Sequence, residues 1–219
     1  MSYLTPKFRT SGSLTQPEPQ DLPSSSWNMP LSLSALKVWT IKQVGSSWES
    51  HSKWLYDVQG LATSEHSRLK GNLERKEAIW RTAVSEHDLL WRANPGDSEL
   101  RLVQDLVDRL CSLLSDQCFS SMSNETLRDA GYGLYADAVA RWGKGRRPFL
   151  TNNGHLGCGP EMAEVGDHVV IVLGAEVPYV IRKCPDGEHY ALLGDAYVHG
   201  AMDGEFADPD FPVSRITLV

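Results

Sequence analysis

Gly166-Asp167-His168-Val169-Val170-Ile171-Val172-Leu173-Gly174 reads as a single β-strand held between two turns. Gly166-Asp167 is a turn signal, and Gly174 ends the apolar run. Successive side chains of a strand point to opposite faces. Val169, Ile171 and Leu173 therefore share one face, and Val170 and Val172 share the other. Both faces are apolar, which predicts a central strand covered on both sides. Shorter runs of the same kind surround it, at 148–151, 178–183, 190–193 and 197–199. Asp186-Gly187 is a hairpin signal between two of them. Short strands separated by turn residues predict a small antiparallel β-barrel or curled sheet over residues 146–219.

Upstream of residue 146 the pattern changes. Residues 33–59 carry Leu36, Trp39, Val44, Trp48, Trp54, Leu55 and Val58, an irregular helical spacing broken near Gly45. Residues 72–91 carry Ile79, Trp80, Ala83, Val84 and Leu90, with Glu77 four residues before Arg81 in the order that favours a helix ion pair. Residues 100–114 have Leu100, Val103, Val107, Leu110 and Leu114 at spacings of three and four, behind the turn Pro95-Gly96-Asp97. A weaker helix over 124–142 contains Gly131 and Gly133, each costing roughly 1 kcal/mol relative to Ala. Residues 1–30 are rich in Ser and Pro and poor in apolar side chains, which predicts a disordered tail. The expected architecture is α+β: tail at 1–30, helical region at 31–145, β-rich module at 146–219.

Composition excludes several functions. The net charge is −7 over 219 residues. Residues 146–219 hold 5 basic and 11 acidic side chains, so the β-rich part is strongly acidic and is expected not to bind nucleic acid. Lys144, Arg146 and Arg147 form a small basic cluster of the kind that is ordinarily solvated. The longest apolar run, from Val169 to Leu173, is far too short for a membrane span. Residues 1–10 have no apolar core of a secretory signal. The 4 cysteines include no CxxC pair. A reduced, cytoplasmic protein without membrane contact is the expectation.

The residues offer three kinds of chemistry. A nucleophilic Cys158 needs a base from His155 or His199 and an orienting acid such as Asp195 or Glu205. Its setting, Gly157-Cys158-Gly159-Pro160, reads instead as a Gly-rich turn that packs a small side chain. A zinc site from His155, Cys158, Cys184 and His199 lacks the tight spacing of known modules, so no metal is expected. Asp203 and Glu205, near Asp195, sit in an acidic stretch that reads as a solvated loop. No phosphate-cradling glycine motif is present, and no cofactor is expected.

The C-terminal motifs taken together resemble a known family. Arg147-Pro148-Phe149 is followed by Gly154-His155-Leu156-Gly157-Cys158, then by Gly166-Asp167-His168-Val169, then by Pro178-Tyr179-Val180-Ile181-Arg182. Gly194-Asp195 leads to Tyr197-Val198-His199-Gly200-Ala201-Met202-Asp203-Gly204-Glu205. Upstream, Trp80-Arg81-Thr82 looks like a helix of the same proteins, with Ala83 where they have Leu. Over roughly residues 72–206 the chain resembles the C-terminal region of fungal heterokaryon-incompatibility (HET) proteins, without the "LSYxWG"-like motif of the HET domain itself. The resemblance implies a role in non-self recognition and regulated cell death; the expectation is a non-catalytic interaction or regulatory module that binds protein, with a hydrolase or transferase using Cys158 and His155 or His199 as the alternative, and oligomeric state is left open. The residues themselves read as structural: Gly154, Gly157, Gly166, Gly174, Gly194 and Gly200 at turns or close approaches, Pro178 at a strand start, and Arg182 or Arg147 pairing with Asp167 or Asp195. Tyr197, His199, Met202 and Glu205 lie on a Gly-flanked loop, where sites are often built.

Overall fold

A computed structural model describes residues 30–85, 123–129, 132–206 and 212–219. The tail at 1–29 and the amphipathic stretch at 100–114 lie outside the described residues. Among the described residues the fold is α+β, with eight strands and four helices. The strands are β1 (Leu31–Val44), β2 (Arg146–Thr151), β3 (Leu156–Pro160), β4 (His168–Val172), β5 (Tyr179–Lys183), β6 (Tyr190–Asp195), β7 (Tyr197–Val198) and β8 (Val213–Leu218). The helices are α1 (His51–Thr63), α2 (Asn72–Ala83), α3 (Asn124–Asp129) and α4 (Gly133–Gly143).

The sheet runs β4-β5-β6-β8-β1-β2-β3-β7, and β4 pairs again with β1, so the first five strands curl back on themselves. It is mixed rather than antiparallel: β6 and β8 run parallel and pair only at Tyr190 and Leu218. The curled sheet is therefore mixed, and it is not a clean barrel.

Strand β1 corrects the helical reading of 33–59. Its first half pairs with β8, from Leu31 opposite Leu218 to Leu36 opposite Val213. Its middle pairs with β4, and its end with β2, each across a bulge. The helix starts only at residue 51, where the Ser50 side chain accepts from Lys53 N at 3.2 Å. Residues 31–44 thus share one sheet with the C-terminal strands, and the helical region is shorter than expected. Helix α2 lies within 72–91 as expected, and Arg81 meets Glu77 at 2.9 Å. The single helix expected over 124–142 is two, α3 and α4, with Tyr132 between them.

Strand β4 is covered on both faces, as its sequence predicts. Val169 packs with Trp39, Ile41, Phe149 and Val180, and Ile171 with Leu36 and Leu173. On the other face Val170 is buried with Ala35, Ile181, Tyr190 and Ile216. The helices form a separate core around Trp54, Trp80 and Val139, which reaches the sheet through Leu150, Leu156 and Cys158. Tight turns join these strands, with Gly166, Gly174 and Gly187 at positive φ.

Candidate functional site

Strand β3 separates the residues that chemistry would need together. Cys158 lies in a strand, not in the expected turn, and faces the helical core. It is fully buried, beside Ser85 and Arg146, and burial pushes its thiol up to about 11. The next-door positions face the opposite way. A Cβ on Gly157 would lie 2.6 Å from the Phe149 ring and 2.7 Å from Tyr197 O, so close approach, not positive φ, requires this glycine. His155 also lies on that sheet side, its ring 4.6 Å from Trp39 and 5.4 Å from Phe206. Cys158 and His155 therefore belong to different cores.

His155 is instead the centre of a polar chain. The loop between α1 and α2 docks on the turn between β2 and β3, where Arg68 N donates to Gly154 O at 3.1 Å. Gly154 has φ +80°, and a Cβ there would lie 2.5 Å from His66 O. This docking brings Arg68 Nη1 to 2.7 Å from His155 Nε2. A guanidinium only donates, so Nε2 carries the lone pair and Nδ1 the hydrogen, directed at His199 O at 3.5 Å. Burial first, and then the Arg68 charge, bring His155 down to about 4. It is neutral at pH 7, with both ring nitrogens within hydrogen-bond distance of a partner.

The Tyr197–Glu205 segment is held the same way. His199 N donates to Leu156 O at 2.9 Å, and Tyr197 Oη lies 3.2 Å from His199 Nδ1. Val198 N points at Met202 Sδ at 3.5 Å. Gly200 and Gly204 both have positive φ. Glu205 accepts from Asp203 N at 2.8 Å on the surface, the expected solvated loop. His199 is half-buried, and its titration is lowered by burial and by Arg81. Its Nε2 has no partner among the described residues.

The remaining motif residues take up packing contacts and hydrogen bonds within the fold. Trp80 is buried in the helical core, and Arg81 lies over its ring at 5.0 Å. Arg182 holds the buried Asp167 with two bonds of 2.8 and 2.9 Å, as the sequence suggests. Asp195 is paired by Arg146, while Arg147 donates to Ala163 O at 2.9 Å, which corrects the pairing expected for Arg147. Pro178 precedes β5, its carbonyl accepting from Ala196 N at 2.8 Å. Gly194, at φ +150°, approaches Pro160. Phe149 fills the core beneath Gly157 and Gly159. Among the described residues no three His, Cys, Asp or Glu side chains could hold a metal, and no helix is long and apolar enough to cross a membrane. Sequence reading missed Arg68 and Trp39, which complete the His155 site. Arg68 sits in a short inter-helix loop with no local pattern to mark it.

Residues 115–211 match the family model described as the Het-6 beta-barrel domain. The C-terminal region is related to HET proteins. Over 67 residues the chain is 51% identical to "Heterokaryon incompatibility protein 6, OR allele" of Neurospora crassa, covering 30% of this chain and 10% of that protein. The chain thus spans about a tenth of the length of the curated relative it matches. No solved structure matches the chain. The family match begins after β1 and ends before β8, yet both strands belong to the curled sheet.

Proposed function

We propose that this chain acts as a non-catalytic, protein-binding part of the fungal non-self recognition machinery, related in its C-terminal region to heterokaryon-incompatibility proteins. The observation that carries the reading is the separation across β3. The buried Cys158 faces the helices and holds its proton, while His155 sits neutral and fully bonded on the other side. A thiol nucleophile needs a thiolate and a base within reach, and this arrangement supports neither. The well-tied Tyr197–Glu205 turn beside α2 then serves as a shaped surface, consistent with a partner that reads the chain by contact.

Two measurements test it. Purified protein is incubated with NAD and with ester and peptide substrates, beside Cys158→Ala and His199→Ala. No turnover by the parent protein is expected; turnover that disappears in either variant overturns the proposal. Capture of partners from fungal cells undergoing incompatible fusion is expected to return a protein that is lost with Gly200→Val. Equal recovery with parent and variant would remove this turn from the binding surface.

A further inference from the structure

Away from the His155 site, four strands bring polar side chains to one end of the curled sheet. Lys37 of β1 follows the buried Ala35 on the same face and stands opposite Val170. His168 of β4 precedes Val170 on that face. Lys183 of β5 follows Ile181 and pairs with Tyr190 of β6. The amine of Lys37 hydrogen-bonds to the Tyr190 hydroxyl and lies 4.4 Å from the centre of its ring. The His168 and Tyr190 rings are 6.1 Å apart.

The charges at this end are unbalanced. The strand arginines 146 and 182 each grip an aspartate. Neither Lys37 nor Lys183 has a carboxylate within salt-bridge distance among the described residues. Of the acids in the adjoining turns, Asp167 and Glu164 are held by Arg182, Asp186 lies 2.7 Å from the His189 ring, and Glu188 is exposed with no ion pair among the described residues. Burial and then Lys37 lower the titration of His168, with Asp167 opposing and Lys183 adding to the effect. His168 Nδ1 lies 3.4 Å from Thr40 Oγ1. When Nδ1 accepts from that hydroxyl, Nε2 carries the hydrogen, and Nε2 has no partner among the described residues.

We propose that Lys37, Lys183, His168 and Tyr190 form a binding site for the phosphate group of a small ester at this end of the sheet. Two ammonium groups, an imidazole N–H and a phenol supply the donors that phosphate oxygens accept. An anion seated there relieves the crowding of like charges around His168. The site lies apart from the Tyr197–Glu205 turn and does not depend on the protein-binding proposal.

The test follows the His168 ring proton by NMR during pH titrations of the full chain, in chloride and in inorganic phosphate at equal ionic strength. Phosphate is expected to raise the half-titration pH of His168 by about half a unit or more. Lys37→Met and Lys183→Met should each raise it without phosphate, by removing a like charge, and should lose the phosphate response. Lys144→Met, at the end of α4, should behave as the parent. Near-UV circular dichroism establishes that each variant is folded, and either lysine variant suffices for the comparison. Glycerol phosphate is expected to act as phosphate does. The proposal is overturned by an unresponsive His168, by an equal response to acetate, or by a phosphate response that survives in the folded lysine variants.

Discussion

Strands β1 and β4 lie side by side in one sheet, yet they became strands for different reasons. β4 is a run of β-branched residues with dry faces on both sides, between glycines at positive φ. Its neighbours in sequence suffice to explain it. β1 passes from β8 to β4 to β2 along its length and bends at two bulges as it does so. Each segment of β1 is stabilised by a different, distant partner. Local patterning therefore specifies a strand that stays with one environment, while a strand shared among three environments is specified by pairing.

The contrast can be broken or sharpened by substitution. The largest effect is expected at Trp39 in the middle of β1, which is 4% exposed and stacks on His155 and Phe206. Trp39→Ala should lower stability by about 3–5 kcal/mol, whereas Ile171→Val in β4 should cost only about 1 kcal/mol. Urea unfolding measures both; similar midpoints would mean that β1 carries no more of the core than β4. Next come two glycines, one in β3 and one in the turn after β7. Gly157→Val sets a Cβ against the Tyr197 carbonyl and should cost about 3 kcal/mol or more. Gly200 has open space around it, and only its φ of +73° opposes a side chain, so Gly200→Val should cost about 1–2 kcal/mol. Equal losses would show that backbone conformation, not close approach, governs both sites.

The last effect is electrostatic and also belongs to the β1 side. His155 titrates near 4 in the folded protein, against 6.5 as its ordinary value. The unfolded chain takes up this proton first, so stability is complete above pH 6.5 and declines as the pH falls towards 4. One proton gives at most about 1.4 kcal/mol per pH unit. His168 and His199, both lowered, add in the same direction. Denaturation midpoints at pH 7.5 and 5 should differ less in His155→Gln than in the parent. An unchanged difference would remove His155 as a source of the acid sensitivity.

Much of the molecule was legible where its signals are short-range. Gly166 and Gly174 bound β4, Asp186-Gly187 turns β5 into β6, and Glu77 meets Arg81 one helical turn away. β8 and β3 escaped notice for opposite reasons. Val213–Leu218 is a short run among polar residues. Leu156–Pro160 is so rich in glycine that it reads as a turn, although the glycines are there to let Phe149 and Tyr197 approach. The candidate site divided similarly. Arg182 with Asp167 was legible as a possibility, while Arg146 rather than Arg147 took Asp195 because alternate residues of β2 face opposite sides.

Taken by itself, the sequence determined the α+β class, the dry central strand, the ion pair of α2 and the turns that need glycine. These follow from backbone dihedral limits and side-chain periodicity, which act over a few residues. Only the tertiary structure decided that residues 31–44 join the sheet, that it curls through the β1–β4 pairing, and that Cys158 and His155 lie in different cores. Those outcomes depend on which distant strand offers its edge and which face is already filled. Pairing energies of that kind are set between segments more than 100 residues apart, such as β1 and β4, and leave no local period to read.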